Sequence, residues 1–357
     1  MTNAARLRIA VLFGGRSSEH EVSVMSATNV MAALDPEKYD AVPVYITREG
    51  RWLASSFSDG ALARPDSGTE LCLTAGGQGR LLAIDAGAAR DLPPVDIVFP
   101  VLHGLNGEDG SVQGLAQAAR VPLVGCGILG SAVALDKDIA KQLLLQAGVP
   151  VARSLTVIED SAPSFAEVKA ALGLPVFVKP ARHGSSVGVS KVSDEAGYAA
   201  ALDLGFRHDD KLLVEEFIKG REIELAVLEA PEGGLFVSRP GEIAPAESHG
   251  FYSYDAKYVD ADGAKIIVPA QLPAEVEERL KDLAAQAFRA TGCDAMARVD
   301  FFVTEDFGIR LNELNTIPGF TNISMYPKAM AASGVDYPTL IDRLVAHGLA
   351  RAKRQTF

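Results

Sequence analysis

Residues 298–315 read RVDFFVTEDFGIRLNELN and predict two short strands joined by a tight turn. The segment Glu305-Asp306-Phe307-Gly308 suits a four-residue hairpin loop between two β-rich runs. Because side chains alternate along a strand, opposed pairs at every second position share one face of the ribbon. The register that this loop sets pairs Thr304 with Ile309 and places three pairs on one face: Phe302 with Leu311, Asp300 with Glu313, and Arg298 with Asn315.

The charged face of this hairpin needs an explanation. Asp300 and Glu313 would have Cβ atoms about 4.5 to 5.5 Å apart, where like charges repel each other. A solvent-exposed face on which Arg298 neutralises one acid is the simpler interpretation. It fits poorly because the opposite face can supply the core, with Val299, Phe301, Val303 and Leu314. Carboxylate and amide oxygens suit Mg²⁺ or Mn²⁺, which commonly bind through carboxylates and substrate phosphates. The hairpin therefore predicts a magnesium–nucleotide site.

The whole chain limits the class of protein. Its 357 residues exceed one ordinary core and predict two or three domains, at a prior of roughly 150 residues each. A net charge of -12 argues against a general nucleic-acid binder, although a local basic pocket is compatible with it. Three widely spaced cysteines without a C-x-x-C pair indicate buried free thiols in a reducing cytoplasm. No apolar run approaches the roughly 20 residues of a membrane span, so we expect a soluble, cytoplasmic protein.

Strand and helix patterns alternate along the first third of the chain. Strands are predicted for RIAVLF, AVPVYI, DIVFPVL and VPLVG, and helices for residues 18–34 and about 112–119. Such alternation predicts an α/β domain on a mostly parallel sheet. Residues 54–92 indicate loops with weak strands, and one helix is expected over 131–147.

Two glycine-rich segments follow strands of this predicted sheet. Residues 14–21 read GGRSSEHE, in which Ser18 and Glu21 predict a capping box that starts the helix. Glu19 would project at the carboxyl end of the strand, where open α/β sheets bind ligands. It either holds a substrate ammonium or lies favourably in the first helical turn. His103 ends another such strand and opens the loop HGLNGEDG at the same edge.

The run GCGILG at 125–130 supports a different class of enzyme. It has the G-x-G-x-x-G spacing of dinucleotide binding and would indicate an NAD-dependent oxidoreductase. The match lies outside the opening unit of the domain, and no clear acidic residue follows about 20 positions later at a strand end. We interpret these glycines as a turn between domains.

Two later segments suit a nucleotide. Residues 179–189 read KPARHGSSVGV, so Lys179 ends one strand and precedes a hairpin tip whose N–H groups and hydroxyls can bind phosphates. A flexible hairpin with an exposed lysine is the alternative. The next strand ends in Glu215 and Phe217, with Glu222 beyond, where an adenine amino group and a ribose can be bound. Edge-strand charge that prevents aggregation is the alternative there.

The order of these motifs resembles a known family. GGRSSEHEVS, HGLNGEDG, the pair Asp136-Lys137, VKPARHGSSVG, VEEFIKGRE, YDAKY, ARVDFF and NELNTIPGFTNIS are similar, in order and along nearly the whole chain, to the D-alanine–D-alanine ligases of the ATP-grasp superfamily. The resemblance implies an α/β fold that is α+β in its ATP-binding part. It also implies an N-terminal substrate-binding domain at 1–132, a central ATP-grasp domain at 133–219 and a C-terminal domain with a lid loop at 220–357.

The same resemblance implies roles for individual residues. The residues that would surround ATP are Lys137, Lys179, Ser186, Glu215, Phe217, Glu222 and Lys257. Two Mg²⁺ or Mn²⁺ ions would be bound by Asp300, Glu313 and Asn315. The first D-alanine would be bound by Glu19 and His103, and the carboxylate of the second D-alanine by Ser324. Arg298 and the backbone N–H of Gly319 would face the oxyanion of the tetrahedral intermediate. Tyr258 of the lid would close onto Ser185 and Glu19. A homodimer without nucleic-acid or membrane partners is expected.

The implied reaction is the ATP-dependent joining of two D-alanine molecules for peptidoglycan precursor synthesis. ATP phosphorylates the first carboxylate to an acyl phosphate, which the amine of the second D-alanine attacks. Ligation of another amino acid or of a hydroxy acid stays open, although Tyr258 disfavours the hydroxy acid. His183 stands where family members often have Glu, which leaves its effect on the phosphate hairpin open.

Overall fold

The computed structural model describes residues 6–245 and 264–354. The first part of the chain forms the strands β1 Leu7–Gly14, β2 Tyr39–Ile46, β3 Trp52–Ala54, β4 Phe57–Ser58, β5 Ala61–Leu62, β6 Glu70–Leu73, β7 Leu81–Asp85, β8 Ala88–Leu92 and β9 Ile97–Val101. Seven of these strands make one sheet in the order β8-β7-β6-β3-β2-β1-β9, while β4 and β5 pair with each other. The carboxyl ends of β1 and β9 lead into the two glycine-rich loops.

Two further sheets follow along the chain. The strands are β10 Ser154–Ile158, β11 Val176–Pro180, β12 Ser190–Val192, β13 Lys211–Glu216, β14 Arg221–Glu229, β15 Leu235–Val237, β16 Gly241–Pro245, β17 Ala264–Ile267, β18 Met296–Val303 and β19 Ile309–Asn315. A four-stranded sheet has the order β10-β13-β11-β12, and a six-stranded sheet has the order β17-β16-β14-β18-β19, with β15 paired to β14. Every pairing in these two sheets is antiparallel.

Helices cover the faces of the sheets. In the described residues they are α1 His20–Ala33, α2 Ser111–Ala118, α3 Ile128–Leu135, α4 Lys137–Gln146, α5 Phe165–Leu172, α6 Glu195–Gly205, α7 Ala274–Ala290, α8 Met325–Ala332 and α9 Tyr337–Arg354. The Ser164 side chain caps α5 in a capping box with Glu167. No helix within the described ranges is both long and apolar enough to cross a membrane.

The first sheet is parallel only in part. β1 pairs in parallel with β2 and β9, whereas β3, β6, β7 and β8 continue the sheet antiparallel. Residues 54–92, expected to be loops with weak strands, supply β6 to β8 and place Leu71, Leu81 and Ala83 in the core. Short turns suffice to join antiparallel strands, so no helix pattern marks this half of the sheet. The predicted strand VPLVG forms only an isolated bridge between Leu123 and Val98.

Two predicted helix starts were wrong. The single helix expected over 131–147 is the pair α3 and α4, because Asp136 has extended backbone and its side chain caps α4. Helix α1 has Glu19 as its N-cap and no side-chain capping bond, so the predicted capping box of Ser18 and Glu21 is absent. The Glu21 carboxylate instead pairs with two arginines outside the helix.

The hairpin predicted over 298–315 is present as β18 and β19. Asp300 pairs with Glu313 and Arg298 pairs with Asn315, as predicted. The opposite face is also the core face that the alternation predicts, with buried side chains at Val299, Phe301, Val303 and Leu314. The charged pairs are therefore left on the face away from the core.

The tip of this hairpin differs from the prediction by one residue. The observed pairs are Val303–Ile309, Phe302–Arg310 and Phe301–Leu311, so the predicted pairs Thr304–Ile309 and Phe302–Leu311 are wrong. An extra residue in β19, Asn312, forms a bulge that restores the predicted register at Asp300. Because of the bulge, Leu311 does not share the charged face and is fully buried in the core.

The N-terminal sheet and the last helices share one core. Ile9, Val11 and Phe13 of β1 belong to the same buried cluster as residues of α8 and α9. The rings of Phe99 and Phe320 meet edge to face with centroids 6.3 Å apart. This packing brings the hairpin β18–β19 and the segment after it to the carboxyl edge of β1 and β9.

Candidate active site

A cavity of about 60 Å³ lies between the carboxyl edge of the first sheet and the hairpin β18–β19. Its lining comes from distant parts of the chain and includes Glu19, His103, Glu108, Lys137, Gly184, Ser185, Arg298, Glu313, Asn315, Ile317 and Gly319. Most residues that the sequence singled out for the two D-alanines and the oxyanion thus border one space. The polar character of the lining suits a small charged ligand.

Arg298 is the cation at the centre of the hairpin face. Its guanidinium donates to Asp300 through Nε at 2.8 Å and Nη2 at 2.7 Å, and Nε lies 3.0 Å from Glu224 Oε2 on β14. Asn315 Nδ2 donates to the same Asp300 carboxylate at 3.1 Å. Although burial opposes the charge, Asp300 and Glu224 hold the pKa of Arg298 well above its usual range. Arg298 therefore offers a permanent positive charge to the cavity.

Glu19 meets the tip of the β11–β12 hairpin. The Ser185 hydroxyl donates to Glu19 Oε1. A Cβ atom on Gly184 would lie 3.2 Å from Glu19 Oε2, so glycine allows the tip to approach the carboxylate. Ser185 and Ser186 have φ values of 51° and 58°, a left-handed conformation that costs energy in residues other than glycine. The tip is therefore held in a strained shape at the position predicted to cover phosphates.

Lys137 connects the same tip to β19. Its Nζ donates to the His183 carbonyl at 2.7 Å and lies 3.5 Å from Glu313 Oε2. Its backbone N–H donates to the Ala181 carbonyl at 3.0 Å. One buried lysine thereby brings positive charge to a carboxylate of the predicted metal site.

A buried cluster of two lysines and one glutamate lies beside the cavity. Glu215 is contacted by Lys179 Nζ at 2.7 Å on one oxygen and by Lys141 Nζ at 2.9 Å on the other. Lys179 Nζ also donates to Asn312 Oδ1 at 3.4 Å. Burial alone would raise the pKa of Glu215, but the two lysines hold it below its usual value. With two cations and one anion, the cluster has a net positive charge and suits an anionic ligand.

Phe217 packs against β11, the strand that carries Lys179, whereas Glu222 lies on β14. The Phe217 ring lies 6.0 Å from that of Phe177, and Lys191 Nζ is 4.3 Å above it. Phe177 and Lys179 are two residues apart on β11 and share one face of the sheet. Glu222 likewise shares a face of β14 with Glu224, the partner of Arg298. An aromatic surface therefore accompanies Lys179, and a second carboxylate accompanies Glu224.

Gly319 lies in the segment that follows β19. Both backbone polar groups of Ile317 bind the loop that follows β9. The Ile317 N–H donates to Glu108 at 2.9 Å, and the Ile317 carbonyl accepts from His103 Nδ1 at 2.9 Å. Burial lowers the pKa of His103, which favours the neutral ring, and Nδ1 carries a proton because the Ile317 carbonyl can only accept. Ser324 is a neighbour of Gly319, because a Cβ atom on Gly319 would lie 2.6 Å from Ser324 Oγ.

Comparison with known protein families identifies the chain. Residues 8–126 match the family described as D-ala D-ala ligase N-terminus, and residues 143–346 match D-ala D-ala ligase C-terminus. The chain belongs to the D-alanine–D-alanine ligase family. A relative from Brucella suis named D-alanine--D-alanine ligase A is 64% identical over 349 residues, which cover 98% of this chain and 99% of the relative.

Solved structures agree with this ligase family. The D-alanine-D-alanine ligase from Coxiella burnetii superposes with a TM-score of 0.85 at 35% identity, covering 99% of this chain and 97% of that one. The VanG D-Ala:D-Ser ligase from Enterococcus faecalis superposes with a TM-score of 0.83 at 38% identity, covering 96% of this chain and 100% of that one. The predicted family, ATP-grasp fold and class of enzyme, an ATP-dependent ligase, are confirmed.

The glycine run at 125–130 has a packing role in this ligase fold. A Cβ atom on Gly130 would lie 2.6 Å from both Cys126 Sγ and the Gly292 carbonyl. The Gly127 N–H donates to Asp294 at 2.6 Å. The run therefore joins the first sheet to the C-terminal part of the chain, as the interpretation of a turn between domains requires, and gives no support to an oxidoreductase.

The donor set of the hairpin fits a hard divalent cation. Asp300 and Glu313 lie directly opposite each other on β18 and β19, and Asn315 adds an amide two residues further on. Within the described ranges no group of three or more His, Cys, Asp and Glu side chains gathers in a metal-binding arrangement. Two carboxylates and an amide leave room in the coordination sphere of Mg²⁺, which substrate phosphates commonly fill.

Four polar residues at the site were absent from the sequence prediction. They are Glu108, Lys141, Glu224 and Asn312. Lys141 follows Lys137 by one helical turn and that spacing is a usable signal. Asn312 gave no signal, because an unbulged ribbon would have turned it toward the core. The predicted lid residues Lys257 and Tyr258 lie outside the described residues, so their roles stay predictions.

Proposed function

We propose that this protein joins two D-alanine molecules into D-alanyl-D-alanine, with cleavage of ATP, for peptidoglycan precursor synthesis. The observation that carries the proposal is the cavity in which Glu19, Ser185, Arg298 and Gly319 meet, since these residues come from four separate segments of the chain. It brings together an anion for an ammonium and two donors for an oxyanion. Membership of the ligase family supports the same reaction.

ATP binds between the four-stranded and six-stranded sheets. Lys137, Lys179 and the hairpin tip at Ser186 face its phosphates, and Glu215, Phe217 and Glu222 face its adenosine. The net positive cluster around Glu215 supports this assignment, because it offsets the phosphate charge before the nucleotide arrives. Lys257 of the lid is assigned to the transferred phosphate by the family resemblance alone.

The two D-alanine molecules occupy the cavity itself. The Glu19 carboxylate holds the ammonium of the first D-alanine, and His103 also binds this first D-alanine. Ser324 binds the carboxylate of the second D-alanine. When the second amine attacks the acyl phosphate, Arg298 and the N–H of Gly319 stabilise the oxyanion. One such donor is typically worth about 3 to 4 kcal/mol of barrier. Tyr258 closes the lid over Ser185 and Glu19 and excludes water, which would hydrolyse the acyl phosphate.

Asp300, Glu313 and Asn315 would hold two Mg²⁺ or Mn²⁺ ions. The bound cations supply charge neutralisation for the phosphoryl group in transit. Arg298 then exchanges part of its contact with Asp300 for the reacting oxygens. The donor chemistry of the hairpin face supports this assignment.

Phosphate release from ATP tests the proposed function. We expect release that depends on D-alanine, on a divalent cation and on protein, with D-alanyl-D-alanine as product by mass spectrometry. Phosphate release that is the same with and without D-alanine would contradict the proposal. Adding D-serine or D-lactate beside D-alanine tests the alternative second substrates, of which D-serine is favoured by the likeness to a D-Ala:D-Ser ligase.

Three broader features belong to the same proposal. The chain divides into domains at 1–132, 133–219 and 220–357, which is supported by a separate sheet within each range. It acts in the cytoplasm, where free thiols such as Cys72, Cys126 and Cys293 stay reduced. It works as a homodimer, which light scattering after gel filtration tests.

A further inference from the structure

Glu108 links two distant parts of the chain through one carboxylate. Its Oε2 accepts from the backbone N–H of Gly104 at 2.8 Å, within its own loop. Its Oε1 accepts from the backbone N–H of Ile317 at 2.9 Å, 209 residues further along the chain. The side chain is buried, with 8% of its surface exposed, so water does not replace either bond easily.

The loop that carries Glu108 is rigid. The Glu108 N–H donates to the Gly104 carbonyl at 2.8 Å, and Gln113 Nε2 of α2 donates to the Gly107 carbonyl at 2.8 Å. A Cβ atom on Gly107 would lie 2.6 Å from the Leu102 carbonyl, so the chain can close this tightly only with glycine there. The loop therefore presents the Glu108 carboxylate at a defined position.

The segment around Gly319 depends on these N-terminal contacts. Ile317 is held by Glu108 and His103, and Phe320 on the other side donates its N–H to Ser26 Oγ at 3.1 Å. Gly319 itself has no side chain to fix its orientation. Its backbone is thus anchored from both flanks by α1 and by the loop after β9, although it belongs to the C-terminal part of the chain.

We propose that Glu108 is a positioning residue of the ligation reaction, whose carboxylate fixes Ile317 and thereby aims the N–H of Gly319 at the oxyanion. This inference rests on the proposed function, because it presumes that Gly319 acts as an oxyanion donor. Oxyanion donors act through preorganised geometry, so a shift of the segment lowers the rate without touching the nucleotide. The role of Glu108 is confined to the chemical step.

The charge of Glu108 determines when it can hold both N–H groups. Burial and the nearby Glu19 raise the pKa of Glu108 to about 7, against the effect of its two N–H donors and of Arg298. The ionised carboxylate is the stronger acceptor for both N–H groups, since protonation converts one oxygen into a hydroxyl, which accepts more weakly. Besides Glu19 and Arg298, His103 lies near Glu108, and burial lowers its pKa, which favours the neutral ring.

The Glu108→Gln variant tests the inference. Its amide nitrogen cannot accept, so one of the two N–H groups loses its partner while the shape is kept. We expect kcat for D-alanine-dependent phosphate release to fall about 10- to 100-fold, as for loss of one hydrogen bond to a charged group. The KM for ATP should stay unchanged, because the lysine cluster around Glu215 does not contact Glu108.

The Asp109→Asn variant is the matched control. Asp109 lies in the same loop and accepts from the N–H groups of Asn106 and Ser111 at 2.8 and 2.9 Å, but these bonds stay within the loop. We expect its kcat to stay close to that of the wild type. An unchanged kcat in Glu108→Gln, or an equal loss in Asp109→Asn, would overturn the inference.

The Glu108→Asp variant and the pH dependence of kcat provide two further tests. Glu108→Asp keeps the charge but is one methylene too short to reach both N–H groups, so it should lose kcat even if Glu108→Gln fails to fold. The wild-type kcat should rise between about pH 6 and 8 with an apparent pKa near 7, and this limb should vanish in Glu108→Gln. The same limb in both proteins would refute the inference. Wild-type activity in the same assay tests the proposed function separately.

Discussion

Lys141 shows how a residue outside the recognised motifs can support a site. Its ammonium is buried, contacts Glu215 at 2.9 Å and donates to the Ala152 carbonyl at 3.3 Å. Burial lowers its pKa, although Glu215 acts in the opposite direction. In the proposed function Lys179 binds a phosphate, and Lys141 would then remain to balance the charge of Glu215. Motifs in the sequence single out Glu19 and Arg298 as candidates, whereas the only sequence signal for Lys141 is its spacing of one helical turn from Lys137.

The Lys141→Met variant should weaken ATP binding. Without Lys141, the buried Glu215 carboxylate has Lys179 as its remaining cation and keeps it from the phosphates. We expect the KM for ATP to rise about 10- to 100-fold, equivalent to roughly 1.5 to 3 kcal/mol, with the KM for D-alanine little changed. Steady-state kinetics with Lys169→Met, an exposed lysine on α5, as control provides the test. A KM for ATP equal to that of the wild type would rule out this role.

The β18–β19 hairpin illustrates what an element reveals through its sequence. Alternation correctly predicted the core face and the two charged pairs, because both follow from the period of a strand. The bulge at Asn312 was not predictable, since no residue type marks it. A one-residue shift of the pairing next to the turn compensates for the extra residue, so the pairs at Asp300 and Arg298 are unchanged. The strands β6 to β8 were expected only as weak strands among loops, because each has four or five residues and the surrounding segment is rich in Gly, Ala, Asp and Ser.

The bulge gives Asn312 a testable function. Substitution by Ala removes the amide that Lys179 contacts at 3.4 Å and should raise the KM for ATP by a few-fold. Deletion of Asn312 should cost much more activity, because a regular ribbon has less twist and re-aims Glu313. Phosphate-release kinetics and melting temperatures of both variants decide the matter. Equal activity of the two variants would mean that the bulge itself is dispensable.

The whole molecule is joined by a polar network as well as by its core. Arg351 of α9 donates to the Leu123 and Gly125 carbonyls at 2.8 Å each and to Asp294 at 2.8 Å. Asp294 in turn accepts from the Gly127 N–H at 2.6 Å. These bonds tie the segment that follows the first sheet to the last helix. The sequence could not predict this joint, because carbonyl groups carry no sequence signal.

Replacement of Arg351 by Met should destabilise the protein. The change leaves two buried carbonyls and one carboxylate without their donor, at a cost of about 3 kcal/mol. We expect a lower midpoint of urea denaturation and normal activity at low temperature. Arg343→Met on the same helix is the control, because Arg343 is exposed. Similar midpoints for the two variants would show that the joint contributes little.

The shared core has a consequence for synthesis. One side of β1 packs against α2 and the neighbouring strands, all encoded early, while Ile9, Val11 and Phe13 on the other side share a cluster with α8 and α9. The ribosome must therefore synthesise nearly the entire chain before α8 and α9 can pack against this side of β1. Until then, the nascent first domain presents apolar surface of the kind that chaperones recognise, and a premature stop codon before α8 would leave that surface permanently open to aggregation.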